Sequence, residues 1–465
     1  MCSSLSYNEF MKNKVKQKRN TQKVIELQTK RKKKSVKIEP IFDLKNATLY
    51  GGAAAFLSYI NGTGLKKQFQ KHITTTKRQN STYPMEDQLT AMVAGRVLGM
   101  ERVYHFEAIE NDPLIAKEIG MEKLSDTTVL YKDLGRFQTE AQIEELKEVQ
   151  WYYAQRCLVG QKYVTLDIDS TVETVYGNQE GVEIGFNPHK PGRGSYHPLL
   201  GFDGISRTCL DGVLRKGKSY TTTGIQELYN RIKKQLGVKS PIRYVRVDNG
   251  GCGEENFSFW EEEKVGYTVK MKTTERLKKA AIEAGFRRLS KNEEEIIEGV
   301  KFKYRATSWE KDRDVVVIRK KPLDISQEVL WDELSYDYEA IVTNLDWVCE
   351  DIWRFYNHRA NCENMIKECK GGFGIDEISS SGFYPNYADL LIKLIGYNAF
   401  CSFKKEILPK EKRWFTIATI RKMFFLIPAI IVHHAHCFIL RLSCWHPWRK
   451  EWRNVWQKLV SIGYT

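Results

Sequence analysis

The chain has 465 residues, of which 42% are hydrophobic and 12% aromatic, and a formal net charge of +15. It is too long for one ordinary core and too apolar for general disorder, so two to four globular units are expected. The charge favours a polyanionic partner, nucleic acid before a membrane surface.

The first 37 residues carry twelve Lys/Arg against Glu9 and Glu26, a net +10 in one arm. Ten cysteines lie scattered without a Cys-x-x-Cys pair, and no apolar leader opens the chain. A reduced cytoplasm is the expected compartment. The longest apolar run, Met423 to Val432, is interrupted by Pro428. A spanning helix needs about 20 residues, so the run reads as core and no membrane partner is expected.

After the arm, Ala53 to Ile60, Pro84 to Leu98 and Thr139 to Val149 show helical apolar spacing, which gives residues 38–155 as a small helical N-terminal domain, to which the net charge adds DNA binding as the expected role. The texture then turns β-rich. Tyr163 to Asp169, Tyr196 to Phe202 and Ile205 to Leu214 suggest a meander with Gly-rich turns such as Gly192-Arg193-Gly194. A helix over Gly224 to Leu236, a strand Ile242 to Asp248, a helix through Trp260 and a strand near Tyr267 to Met271 complete a mixed α/β core over 156–375. Runs at Val300 to Ala306, Asp314 to Arg319 and Ala340 to Leu345 read as a β-rich insertion at about 295–346. A helix begins near Cys349, and from Ala388 onward the pattern is helical again, with breaks at Pro409 and Pro428 and an aromatic, basic stretch from Trp445 to Trp456. This gives a helical C-terminal region over 376–465.

Chemistry is carried first by acids at strand ends. Asp167 and Asp169 close one β run and Asp248 another, which places carboxylates at the sheet edge where open α/β sheets hold their sites. Strand-terminal Asp residues also begin turns, as Asp248-Asn249-Gly250-Gly251 does unaided. Alternation puts Asp167 and Asp169 on the same face, so periodicity does not choose between them.

A second signal lies in Tyr356, Arg359, Glu363, Lys367 and Lys370. At about 100° per residue these five fall within an arc of roughly 80° on one helix. A carboxylate flanked by a phenol, a guanidinium and two ammonium groups suits a metal-bound phosphodiester, with Glu363 ligating metal and the cations holding phosphates. The same spacing also produces a solvated face of i,i+4 ion pairs.

With Tyr356-x2-Arg359-x3-Glu363-x6-Lys370 in place, the chain resembles the DDE transposases of bacterial insertion sequences, a cut-and-paste group with a retroviral-integrase-like (RNase H-like) core. Asp169-Ser170-Thr171 matches the first acid with its small hydroxyl residues. Gly177-Asn178-Gln179-Glu180-Gly181 and Tyr83-Pro84-Met85-Glu86-Asp87-Gln88-Leu89 fit the same pattern over roughly residues 80–440. The resemblance implies catalytic Asp169, Asp248 and Glu363, with Tyr356, Arg359, Lys367 and Lys370 on DNA. It implies cleavage at the terminal inverted repeats, strand transfer of the freed 3′-OH into target DNA, and at least a dimer to join two ends. On a two-ion scheme Asp169 bridges both ions while Asp248 and Glu363 complete one site each, with Mg2+ as cofactor and Mn2+ able to replace it. Residues 1–37 announce no helix-turn-helix, so the element that reads the ends stays open.

Some members of the group form a hairpin, which needs an aromatic platform for an extrahelical base, and Trp309, Trp331 and Trp347 are candidates. His433, His434, His436, Cys437, Cys444 and His446 carry zinc-type donors at a spacing that fits no closed site. The competing functions are a catalytically inactive DNA-binding derivative and an RNase H-like nuclease without strand transfer.

Overall fold

Thr139 opens the last N-terminal helix with a capping box, its hydroxyl accepting from the Gln142 amide while the Gln142 side chain accepts from the Thr139 amide. The computed structural model describes residue 16 and residues 40–78, 80–188, 190–219, 222–238, 240–291, 295–322, 336–434 and 437–465. Apart from Lys16, the basic arm of residues 1–37 lies outside the described residues, as do Trp331 and His436. The chain divides into Met1–Lys45 and Asn46–Thr465, and the fold's core belongs to the second unit.

Six helices come first: α1 (Ala54–Gly62), α2 (Leu65–His72), α3 (Met85–Leu98), α4 (Pro113–Ile119), α5 (Thr127–Leu134) and α6 (Glu140–Leu158). They are followed by β1 (Val164–Ser170), β2 (Leu199–Asp203), β3 (Cys209–Val213), α7 (Ile225–Leu236), β4 (Ile242–Val247), α8 (Glu254–Glu262), β5 (Gly266–Met271) and α9 (Glu275–Ala284). Then come β6 (Arg287–Lys291), β7 (Glu295–Tyr304), β8 (Arg313–Pro322), β9 (Asp337–Thr343), α10 (Cys349–Asn357), α11 (Ala360–Phe373) and α12 (Phe383–Glu406). Among the described residues, β1 to β9 form one mixed sheet in the order β6-β7-β8-β9-β5-β4-β1-β2-β3. The pairs β1·β2 and β2·β3 are antiparallel, whereas β4 runs parallel to β1 and β5 parallel to β4.

The insertion strands continue this sheet, because Ala340–Thr343 of β9 pair antiparallel with Met271–Thr268 of β5. Arg313 on β8 fastens them to α8, reaching Glu254 at 2.6 and 2.7 Å and Glu261 at 2.9 Å. Trp309 is buried beside Phe257 and Tyr304, and Trp347 packs on Tyr244 and Phe355. These two indoles, candidates for a base platform in the sequence, pack against aromatic rings of the protein itself, the commoner role of such residues.

The helices before residue 155 and those after 376, expected as separate regions, share one core in which α12 is buried on nearly every side. Inside that core Asp389 of α12 binds Arg96 of α3 at 2.5 Å and Lys393 at 2.8 Å. Burial pushes the Asp389 carboxyl up, but Arg96 and Lys393 outweigh it and hold the group below its ordinary range.

The expectation of an all-helical C-terminal region is corrected by a hairpin, β10 (Ala429–His434) and β11 (Cys437–Leu442), which also pairs with Ala47–Thr48. Pro428 stops the preceding helical turn, and Ile430-Ile431-Val432 is a β-branched run with Ile431 buried and Ile430 exposed, a period of two. A last helix, α13 (Arg449–Ser461), stacks Trp452 on Trp456.

Candidate active site

Register brings the acids together. Ile168 of β1 pairs with Val247 of β4, and Val247 with Val269 of β5. The next residues, Asp169, Asp248 and Lys270, therefore stand side by side on three neighbouring parallel strands about 4.8 Å apart. This is the edge at which α/β sheets hold ligands. Asp248 follows β4 directly and fixes its own turn, one carboxylate oxygen accepting from the Gly250 amide at 2.9 Å. Asp248 thus forms its own turn and also lines a cleft.

Asp167 and Asp169 face the same way but have different partners. Asp167 is fully buried, and Arg246 of β4 grips it with Nε at 2.6 Å and Nη2 at 2.8 Å while Nη1 donates to the Phe355 carbonyl at 2.8 Å. It is a strut between β1, β4 and α10. Asp169 opens onto a cleft of about 440 Å³ together with Asp248, Glu363, Tyr356 and Arg359. Burial pushes its pKa up to about 6; Arg359 pulls against this, while Asp248 and Glu363 add like charge.

The five residues read as one helical stripe meet a break. Helix α10 ends at Asn357 and α11 starts at Ala360, with tighter i to i−3 bonds from Arg359 to Tyr356 and from Cys362 to Arg359 between them. Tyr356 and Arg359 are turned into the wall of the cleft and buried, whereas the Glu363 side chain is 53% exposed. Burial is the main reason the Tyr356 phenol is held well above its ordinary range. Arg359 does not project toward solvent: it sits 2.9 Å from Asp169 and 3.4 Å from Glu363, bridging two of the acids. Its Nε is buried without a hydrogen-bond partner. Lys367 and Lys370 do not line the cleft; Lys367 is exposed on α11 and the Lys370 ammonium donates to the Val172 carbonyl at 3.3 Å.

The cleft also contains Lys270 and Glu339, which sequence reasoning missed. Lys270 was legible in principle, since parallel register sets it beside Asp248. Glu339 arrives on β9, where Lys320 holds it at 3.1 Å, and no local pattern announces a strand added from the insertion. Among the described residues, no group of three His, Cys, Asp or Glu side chains is already spaced to hold a metal. The donor set nevertheless suits a hard divalent cation, with three carboxylates around one cleft and one guanidinium neutralising two of them.

The molecule is thus a mixed α/β protein with a carboxylate-lined cleft at the carboxyl ends of its parallel strands. The chain belongs to the family described as Transposase DDE domain group 1, whose model matches residues 29–463. Among solved structures it is similar to the cryo-EM structure of a piggyBac transposase synaptic complex with hairpin DNA, at 13% identity and a TM-score of 0.39, covering 77% of this chain and 76% of that one. No curated protein matches the chain.

Proposed function

We propose that the protein is a cut-and-paste insertion-sequence transposase that cleaves DNA at the transposon ends and joins the freed 3′-OH to target DNA, with Asp169, Asp248 and Glu363 as its catalytic carboxylates. The observation that carries this reading is the side-by-side placement of Asp169 and Asp248 at one sheet edge with Glu363 on the same cleft. The order β3-β2-β1-β4-β5, an antiparallel meander followed by two parallel strands, supports an RNase H-like core.

Asp169, Asp248 and Glu363 would hold Mg2+, with Mn2+ as a substitute. Divalent cations bound there would supply positive charge to the reacting phosphodiester and its leaving oxygen. Arg359 keeps the acids neutralised and oriented, and Lys270, exposed beside Asp248, is placed to meet a DNA phosphate. Tyr356 closes the wall behind Arg359 and shields it from water. Joining two ends calls for two such clefts, hence a homodimer on the DNA, at work in the bacterial nucleoid.

The test uses a labelled duplex carrying the inverted repeats that flank the coding region. The wild-type protein should nick it in Mg2+ and Asp169→Asn should not, while both bind it. Cleavage by Asp169→Asn at the wild-type rate would refute the assignment.

A further inference from the structure

Directly after Asp169 the chain builds a small accessory sheet from Glu173–Thr174, Glu183–Ile184 and Gly194–Tyr196. The loop between its first two strands carries the Gly177 to Gly181 motif, to which the chemistry above assigns no task. The sheet is rigidly mounted. Glu173 pairs with Tyr196, the Tyr196 hydroxyl donates to the Glu180 carbonyl, and the Glu180 amide donates to the Ser381 carbonyl. A Cβ on Gly185 would lie 2.0 Å from the Gly217 carbonyl oxygen, so only glycine permits this approach. Lys370 ties Val172, the residue just before the sheet, to the helix that carries Glu363.

This fixed scaffold leaves large apolar side chains in water: Tyr176 is 67% exposed and Phe186 75%. Lys190 lies 4.6 Å and Arg193 5.8 Å from the Tyr176 ring centre, and among the described residues neither pairs with a carboxylate. The nearby acids are committed to backbone, Glu183 to the Lys218 amide and Glu180 to the Phe383 amide. A depression of about 490 Å³ beside Tyr176 is lined by Asn178, Gln179 and Arg193, and a buried oxygen of Gln179 has no partner. An exposed ring, two cations and an unpartnered amide oxygen on one surface match a nucleic-acid strand whose bases are unpaired, because a ring cannot stack on a base still inside a duplex.

We propose that this accessory sheet is a stacking platform for unpaired bases of the DNA strand that passes through the cleft, with Tyr176 as the stacking ring and Lys190 and Arg193 on its phosphates. The inference rests on the DNA-cleaving reading of the neighbouring cleft. The experiment is fluorescence anisotropy with the full chain and two probes, a blunt transposon-end duplex and the same duplex with a short single-stranded overhang. The wild type should prefer the overhang. Tyr176→Ala should weaken overhang binding about 5- to 100-fold and leave blunt-duplex binding nearly unchanged, with Tyr176→Trp restoring the preference. Lys190→Gln with Arg193→Gln should weaken both probes alike. No overhang preference in the wild type, equal losses on both probes for Tyr176→Ala at unchanged melting temperature, or a Trp variant as weak as Ala would each overturn the proposal. Because binding is read without cleavage, Asp169→Asn protein that keeps the overhang preference supports the platform whatever becomes of the catalytic assignment. A wild type that binds the overhang yet never nicks would sink the catalytic reading alone.

Discussion

The contrast between Asp167 and Asp169 is the sharpest quantitative consequence of the structure. Asp167→Asn removes a carboxylate held bidentately by Arg246 at 2.6 and 2.8 Å, with both side chains almost fully buried. Arg246 is left charged, with the Phe355 carbonyl and a weaker amide acceptor. Stranding one partner of such a pair costs about 3–5 kcal/mol. Unfolding entropy near 2.1 cal/mol/K per residue, taken over the unit Asn46–Thr465, is on the order of 0.9 kcal/mol/K, so the melting temperature should fall by about 3–6 °C. Burial outweighs Arg246 and pushes the Asp167 pKa up to about 6, so the pair gains little over two apolar residues. Asp167→Leu combined with Arg246→Met should therefore recover more than half of the loss. Asp169→Asn is different, because it keeps an oxygen for Arg359 and removes one of three like charges, opposing effects that should leave the melting temperature within about 2 °C while cleavage disappears. Scanning calorimetry and end-cleavage assays on the same preparations decide the matter. An unchanged melting temperature for Asp167→Asn, or a folded, inactive Asp167→Asn beside an active Asp169→Asn, would refute the reasoning.

Saturating Mg2+ or Mn2+ at about 100 times its Kd should add about 2.7 kcal/mol to the wild type and raise its melting temperature by roughly 3 °C over EDTA, an increase that Asp169→Asn should lose. Arg359→Lys keeps the charge but not the two-pronged reach to Asp169 and Glu363, so it should impair end cleavage far more than DNA binding. Equal loss of both, with a lowered melting temperature, would make Arg359 a folding residue instead. Deleting residues 1–37 removes a net +10 and should flatten the slope of log K against log salt by about 0.9 for each DNA phosphate that the arm neutralises. An unchanged slope would remove the arm from the DNA interface.

Local pattern exposes the catalytic candidates because each is punctuated locally: Asp169 ends a β run, Asp248 begins a turn, and Glu363 sits at a recognisable distance from Tyr356, Arg359 and Lys370. What it hides is whatever depends on pairing between distant segments. Asp167 and Asp169 have the same periodicity, and only Arg246, a residue on another strand, separates a strut from a cleft acid. Glu339 enters the cleft because β9 joins β5 after an excursion of more than sixty residues, and no window of sequence contains that pairing. A uniform helix through 356–370 fails at residues 358–359, where no Pro or Gly marks the break. Two tight turns there rotate Arg359 inward onto Asp169. In place of a single row of cations on one helix face, a buried arginine bridges two of the acids and the exposed Lys270 lines the cleft from a neighbouring strand. The hairpin at 429–442 is hidden for a related reason, since a short apolar run fits a buried helix and a strand equally, and pairing with Ala47–Thr48, nearly 400 residues away, accompanies the extended form. Active-site chemistry is thus legible wherever a residue acts through its own position on a strand or helix, and illegible wherever it acts through the neighbour that topology assigns to it.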